Sequence, residues 1–230
     1  MTLTFRQTRK IKPNYRSVTG KLAYKGDMIP YESTLERDFL IYFTSLRQVV
    51  DIVPQPITLD FKKNGRTHEY TPDYFVQFSC HNCTQKSLLI EVKPETEWRE
   101  NWREWSDKWK VAQQYAKNNG FLFHIYDESR IRHQALYNLN ILNSYKRLYV
   151  DRTVIKKLLD EIDNREITTV ETILELYFKA GDIRKQGHRI LLYMMSQQLI
   201  DFDIWTDDIK DEQLILWACD NDRYRFRPVY

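Results

Sequence analysis

Thr71-Pro72-Asp73-Tyr74 and, further on, Leu88-Leu89-Ile90-Glu91-Val92-Lys93 are the two stretches that decide the fold. The second reads as a short buried strand that Pro94 ends. Side chains alternate faces along a strand, so Glu91 and Lys93 point the same way, about 6.6 Å apart at roughly 3.3 Å per residue. Leu88, Ile90 and Val92 take the other face. A neighbouring strand carrying Asp73 would set a second carboxylate beside Glu91. Two carboxylates with no nearby histidine suit a hard cation with oxygen ligands, Mg²⁺ or Mn²⁺.

A Glu-x-Lys alone is better explained by an ion pair on a solvated strand face. Here Pro72-Asp73 upstream, strands on both sides and the charge distribution favour a site. The chemistry such a site serves is phosphodiester hydrolysis. A divalent ion held by carboxylates offsets the negative charge that builds on the phosphoryl oxygens and lowers the pKa of a bound water. A lysine beside it stabilises that developing charge and positions the water.

Outward from this centre, the order of elements is legible. Residues 1–30 read as an irregular arm broken by Pro13, Gly20, Gly26 and Pro30. A helix begins near Ser33, with Leu35, Phe39, Tyr42, Phe43 and Leu46 at helical spacing. Asn64-Gly65 supplies the two positive φ angles of a type I′ turn, so ITLDFKK and RTHEYTPDYFVQF read as a hairpin. Residues 96–118 read as one long helix with Trp98, Trp102, Trp105 and Trp109 in a stripe, expected to be packed core or a partner interface. FLFHIYD reads as a strand, and 129–148 as another helix. The expected architecture is α/β over residues 1–148, a mixed sheet flanked by helices. Residues 149–230 read as three short helices and a terminal hairpin, the order of a small winged-helix-like domain.

Charge divides the same way. Residues 1–148 carry a net of +7 and residues 149–230 a net of −4. Seven Lys and Arg fall within the first 30 residues, which reads either as a solvated arm or as a contact with a polyanion. Arg184, Lys185, His188 and Arg189 read as a basic helix face, set against an acidic domain. No apolar run approaches the roughly 20 residues of a membrane span. The start has no apolar segment of a secretory signal, and three cysteines point to a reducing, cytoplasmic setting. Cys80-His81-Asn82-Cys83 has zinc-like spacing but too few further ligands, so a turn with two thiols is expected. No phosphate-cradling Gly-rich loop is present, which argues against ATP use by this chain.

The stretches YESTLERDFL, VVDIVPQPITLDF, EYTPDYFVQF and LLIEVKP, in that order over about residues 31–94, resemble the PD-(D/E)xK nucleases of the restriction-endonuclease-like fold, and more narrowly the TnsA-type transposon endonucleases. That resemblance implies a catalytic set of Glu36, Asp73, Glu91 and Lys93, with the three carboxylates converging on Mg²⁺, for which Mn²⁺ substitutes. Spacing alone leaves Glu32 and Glu36 tied, and Ser33-Thr34-Leu35-Glu36 also fits a helix capping box. The resemblance further implies cleavage of the 5′, non-transferred strands at transposon ends. It implies double-stranded DNA, a TnsB-type transposase and a TnsC-type ATPase regulator as partners, in the bacterial cytoplasm at the nucleoid. A stand-alone restriction or repair nuclease would carry the same site.

Overall fold

The computed structural model describes residues 5–8, 18–79, 86–205 and 208–219. It divides into two compact units, residues 1–132 and 133–230.

The first unit is built around a four-stranded mixed sheet. Its strands are β3 (Val49–Pro54), β6 (Tyr74–Phe78), β7 (Leu88–Val92) and β8 (Leu122–Tyr126) in the order β3-β6-β7-β8. The first three neighbours pair antiparallel, and β7 and β8 run parallel. A parallel pair needs a crossover, and here helices α2 (Glu95–Glu100) and α3 (Trp102–Asn118) make it. The sequence suggests one helix over this stretch. The chain instead turns at Asn101, whose side-chain amide donates to the carbonyl of Glu97 and closes α2 before α3 begins.

Each face of the sheet is covered. Helix α1 (Thr34–Ser45) lies on one side, where Phe39 is fully buried and its ring stands 5.3 Å from that of Tyr74. On the other side Trp109, Ala112 and Ala116 of α3 pack with Phe75 and Leu89. Phe75 and Leu89 sit opposite one another in the β6–β7 register. The tryptophan stripe is thus mostly packed inside this layer, and only Trp102 is strongly exposed.

Strands β4 (Leu59–Lys63) and β5 (Arg66–Tyr70) form the expected hairpin, with φ of 50° at Asn64 and 74° at Gly65. The segment after it is not one strand but two. Thr71-Pro72-Asp73 interrupts the pairing, since Pro72 has no N–H to donate to a ladder. Residues 20–31, expected to be irregular, form a second hairpin, β1 (Gly20–Tyr24) with β2 (Asp27–Tyr31). Its turn is Lys25-Gly26, both at positive φ. Arg9, Lys10, Lys12 and Arg16 of the basic arm lie outside the described residues, as do Cys80 to Cys83. Helix α4 (Glu128–Ile131) closes the unit, and Arg132 donates to Asp38 of α1.

The second unit runs α5 (Gln134–Tyr145), α6 (Arg152–Arg165), β9 (Thr168–Thr169), α7 (Val170–Tyr177), α8 (Gly181–Ser196), β10 (Ile200–Phe202) and β11 (Ile215–Ala218). The three strands pair antiparallel in the order β10-β11-β9. Leu142 of α5 belongs to this unit's core, with Leu158, Ile173, Leu191 and Met194. That places α5 here, so the division falls after Arg132 rather than after Leu148. Buried Asn138 on α5 also donates 2.8 Å to the carbonyl of Ile204.

Candidate active site

The β6–β7 register sets the site. Tyr74 faces Ile90, so one step further brings Asp73 alongside Glu91. Asp73 Oδ2 accepts a 2.8 Å hydrogen bond from the backbone N–H of Val92, and Asp73 O accepts one of 2.7 Å from Gln55. Asp73 Oδ1 makes no hydrogen bond among the described residues. Lys93 follows directly, its backbone N–H bonded to the carbonyl of Tyr126 as the parallel pairing continues. Its ammonium reaches 3.9 Å from Glu91 Oε1. Asp73, Glu91 and Lys93 are therefore brought together at one end of two paired strands.

Glu91 is only 2 % exposed. Burial, and then the charge of Asp73, push its carboxyl up to about 7, against the opposing pull of Lys93, Lys108 and Tyr70. Lys93 is held above the ordinary lysine range, chiefly by Asp73 and then by Glu91 and Glu36, although its burial acts the other way. It is an ammonium throughout the neutral range.

Glu36 approaches from a different side. Its amide is capped by Ser33 Oγ at 3.1 Å, and its own Oε1 accepts from that hydroxyl. Oε2 accepts from the N–H of Glu32 and from Tyr74, at 2.9 and 3.0 Å. The capping arrangement legible in the sequence is thus formed. Burial and the charge of Asp73 push this carboxyl, too, up to about 7. Tyr74 belongs to the α1 face of the sheet, whereas Glu91, two residues on from Leu89, belongs to the α3 face. Asp73 stands between them at the strand end, close enough to raise both. Among the described residues no three His, Cys, Asp or Glu side chains are drawn together as a ready metal cage.

Two residues of the site have no counterpart in the sequence motif. Tyr70 donates 2.7 Å to Glu91 Oε2. Lys108, on α3, lies 3.3 Å from Glu91 Oε1. A signal for Lys108 was present, a lysine set among Trp105, Trp109 and Ala112 on an otherwise apolar helix face. Tyr70 had none, because only folding brings the end of β5 to β7.

A mixed sheet flanked by helices, with acidic and lysine side chains converging at the ends of its central strands, fits the restriction-endonuclease-like class. Residues 46–128 match the family model described as the TnsA-like endonuclease N-terminal domain. This stretch is similar to a TnsA-type endonuclease domain, and Asp73, Glu91, Lys93 and Lys108 lie inside it while Glu36 precedes it. No curated protein matches the chain.

Proposed function

We propose that this chain is a metal-dependent DNA endonuclease subunit of a heteromeric transposase, cutting the 5′, non-transferred strands at transposon ends. The observation that carries the reading is Asp73, Glu91 and Lys93 at one end of paired strands, within a TnsA-like endonuclease domain.

The donor set fits a hard divalent cation. Asp73 offers an oxygen without a hydrogen bond among the described residues, Glu91 a buried carboxylate, and Glu36 a third from α1. Asp73 and Glu91 would hold Mg²⁺, with Mn²⁺ as a substitute, and Glu36 would have to swing in from α1 to join them, since the three are not drawn together among the described residues. A divalent ion, when bound, supplies charge neutralisation at the scissile phosphate and a more acidic water. The chain's own residues do the rest. Lys93, held as an ammonium, places positive charge where the pentavalent phosphoryl group gains negative charge. Tyr70, whose hydroxyl burial and Glu91 keep protonated, donates to Glu91 and holds that carboxylate in place.

The second unit supports a partner-binding role. Its helix–strand–helix–helix–strand–strand order from α6 to β11 is that of a winged-helix domain. Its acidic balance suits protein partners, TnsB and TnsC in type, better than duplex DNA. No helix among the described residues is long and apolar enough to cross a membrane.

The test is cleavage of transposon-end duplexes by the purified chain with Mg²⁺, with and without transposase partners. Parent protein is expected to nick the 5′ strand at the end when partners are present, and Asp73→Ala is expected to abolish it. Cleavage that persists at the parent rate in Asp73→Ala would overturn the assignment. Efficient cutting of unrelated DNA without any partner would favour a stand-alone nuclease.

A further inference from the structure

We propose that Lys108 is a positioning residue for the cleavage reaction, acting through the carboxylate of Glu91. This rests on the nuclease reading of the site. The two oxygens of Glu91 are held from different directions. Tyr70 donates 2.7 Å to Oε2, and the Lys108 ammonium lies 3.3 Å from Oε1. Two contacts on opposite oxygens fix the rotation of the carboxylate plane, which a single contact leaves free. Lys93 is a weaker hold on the same oxygen, at 3.9 Å.

The ammonium of Lys108 is itself fixed. It lies 4.9 Å from the ring centre of Tyr70, 4.7 Å from that of Trp105 and 5.6 Å from that of Trp109. All three are within the range of cation–π attraction. The side chain is 18 % exposed, so little of its conformational freedom remains. Packing alone does not call for this charge. The neighbouring inward positions on α3 are Trp109, Ala112 and Ala116, and an unbranched apolar side chain would fill the same space. Among the described residues the charge has one acidic partner, Glu91. Residues that hold a ligand side chain in orientation are commonly worth 10–100-fold in metal affinity or activity.

Three variants of the full chain test this: Lys108→Met, Lys108→Arg, and Lys108→Met combined with Glu91→Gln. In Mg²⁺-dependent cleavage, Lys108→Met is expected to lower kcat about 10–100-fold with KM changed less than about threefold. Lys108→Arg is expected to recover most of the loss. Urea denaturation of the metal-free proteins, with Glu91→Gln completing the cycle, is expected to show the two residues coupled by about tenfold or more in the unfolding equilibrium. A parent-like kcat in Lys108→Met, an Arg variant as slow as the Met variant, or no coupling in the cycle would each overturn the proposal. The cycle needs neither metal nor DNA. If the parent cuts no DNA under any condition the nuclease reading fails, and the cycle still decides whether Lys108 holds Glu91.

Discussion

Glu36 and Glu91 are each buried and each sit near Asp73, and both carboxyls are pushed from the ordinary 4.5 up to about 7. Folding then favours their neutral forms. The stability they contribute is full below the unfolded value near 4.5 and is lost as pH climbs through about 7. The metal-free protein should therefore unfold more readily at pH 8 than at pH 5, by an amount on the order of 1 kcal/mol or more per carboxyl. Glu36→Gln should flatten that slope and be the more stable protein at pH 8, as read by urea denaturation at both pH values. A slope unchanged by Glu36→Gln would remove Glu36 as its source. Lys93 makes a different prediction. An ammonium is no metal ligand, so Lys93→Ala should lose cleavage by roughly two to three orders of magnitude while Mn²⁺ binding by calorimetry persists. Asp73→Ala should lose both, and a Lys93→Ala protein that cuts at the parent rate would remove Lys93 from the chemistry. Of this site, Asp73, Glu91 and Lys93 were legible because strand alternation and a Pro-Asp turn are local signals. The hold by Tyr70 was not, since it reaches Glu91 from β5 only after folding, and Lys108 showed only as a lone charge on the apolar face of α3.

At the scale of elements, sequence signals worked where turn and cap chemistry is strong. Ser33 caps α1 and Asn64-Gly65 turns β4 into β5. They failed where the chain uses weaker chemistry. The β1–β2 turn places Lys25, not Asn or Asp, at a φ of 49°, so nothing marked residues 20–31 as a hairpin. Side-chain support from folding stabilises it instead, with Tyr24 and Lys25 both donating to the carbonyl of Val49. Strand β3 ends in Pro54, which still pairs with Tyr74. Helix α8 offers a direct test of packing. Gly187 is buried on that helix, and a Cβ there would run into the ring of Phe178. Gly187→Ala gains helix propensity of up to about 1 kcal/mol, yet overpacking costs typically about 1–3 kcal/mol. The clash is with ring atoms and the Cβ of Phe178, not with a flexible chain end, so the cost should win. A net loss on the order of 1–2 kcal/mol is expected in urea denaturation of the second unit. A more stable Gly187→Ala protein would mean that Phe178 moves aside freely.

At the scale of the whole molecule, two cores and two charge balances coincide in sequence. Residues 1–148 are basic and 149–230 acidic, with the structural division close to that change. The division itself was read late in the sequence because the expected helix over 129–148 shows no linker; the structure breaks it into α4 and α5, and only the apolar stripe of α5, Leu142 with Ile141 and Tyr145, assigns that helix to the second core. Under the proposed function, charge decides which unit would grip DNA. Phosphate contacts are made by Lys and Arg and draw their strength from counterion release. The basic face read on α8 is largely spent within its own unit. Arg184 is paired with both Glu175 and Glu212, Lys185 with Asp182, and His188 shares a hydrogen bond with the carbonyl of Lys210. Arg189 remains exposed, with Asp201, Asp203, Asp208 and Asp211 following in sequence. One cation left unpaired among the described residues of that face, within a stretch of net negative charge, leaves the α8 face little with which to release counterions. The fragment of residues 133–230 should therefore show little duplex binding in mobility-shift titration at physiological salt, while the full chain binds with a steep salt dependence. The same fragment should be captured by a TnsC- or TnsB-type partner. Breaking the internal pairs with Glu175→Gln and Glu212→Gln should free Arg184 and raise the fragment's DNA affinity. Tight, salt-sensitive binding by the unmodified fragment, without partner capture, would instead make the second unit the reader of the transposon end.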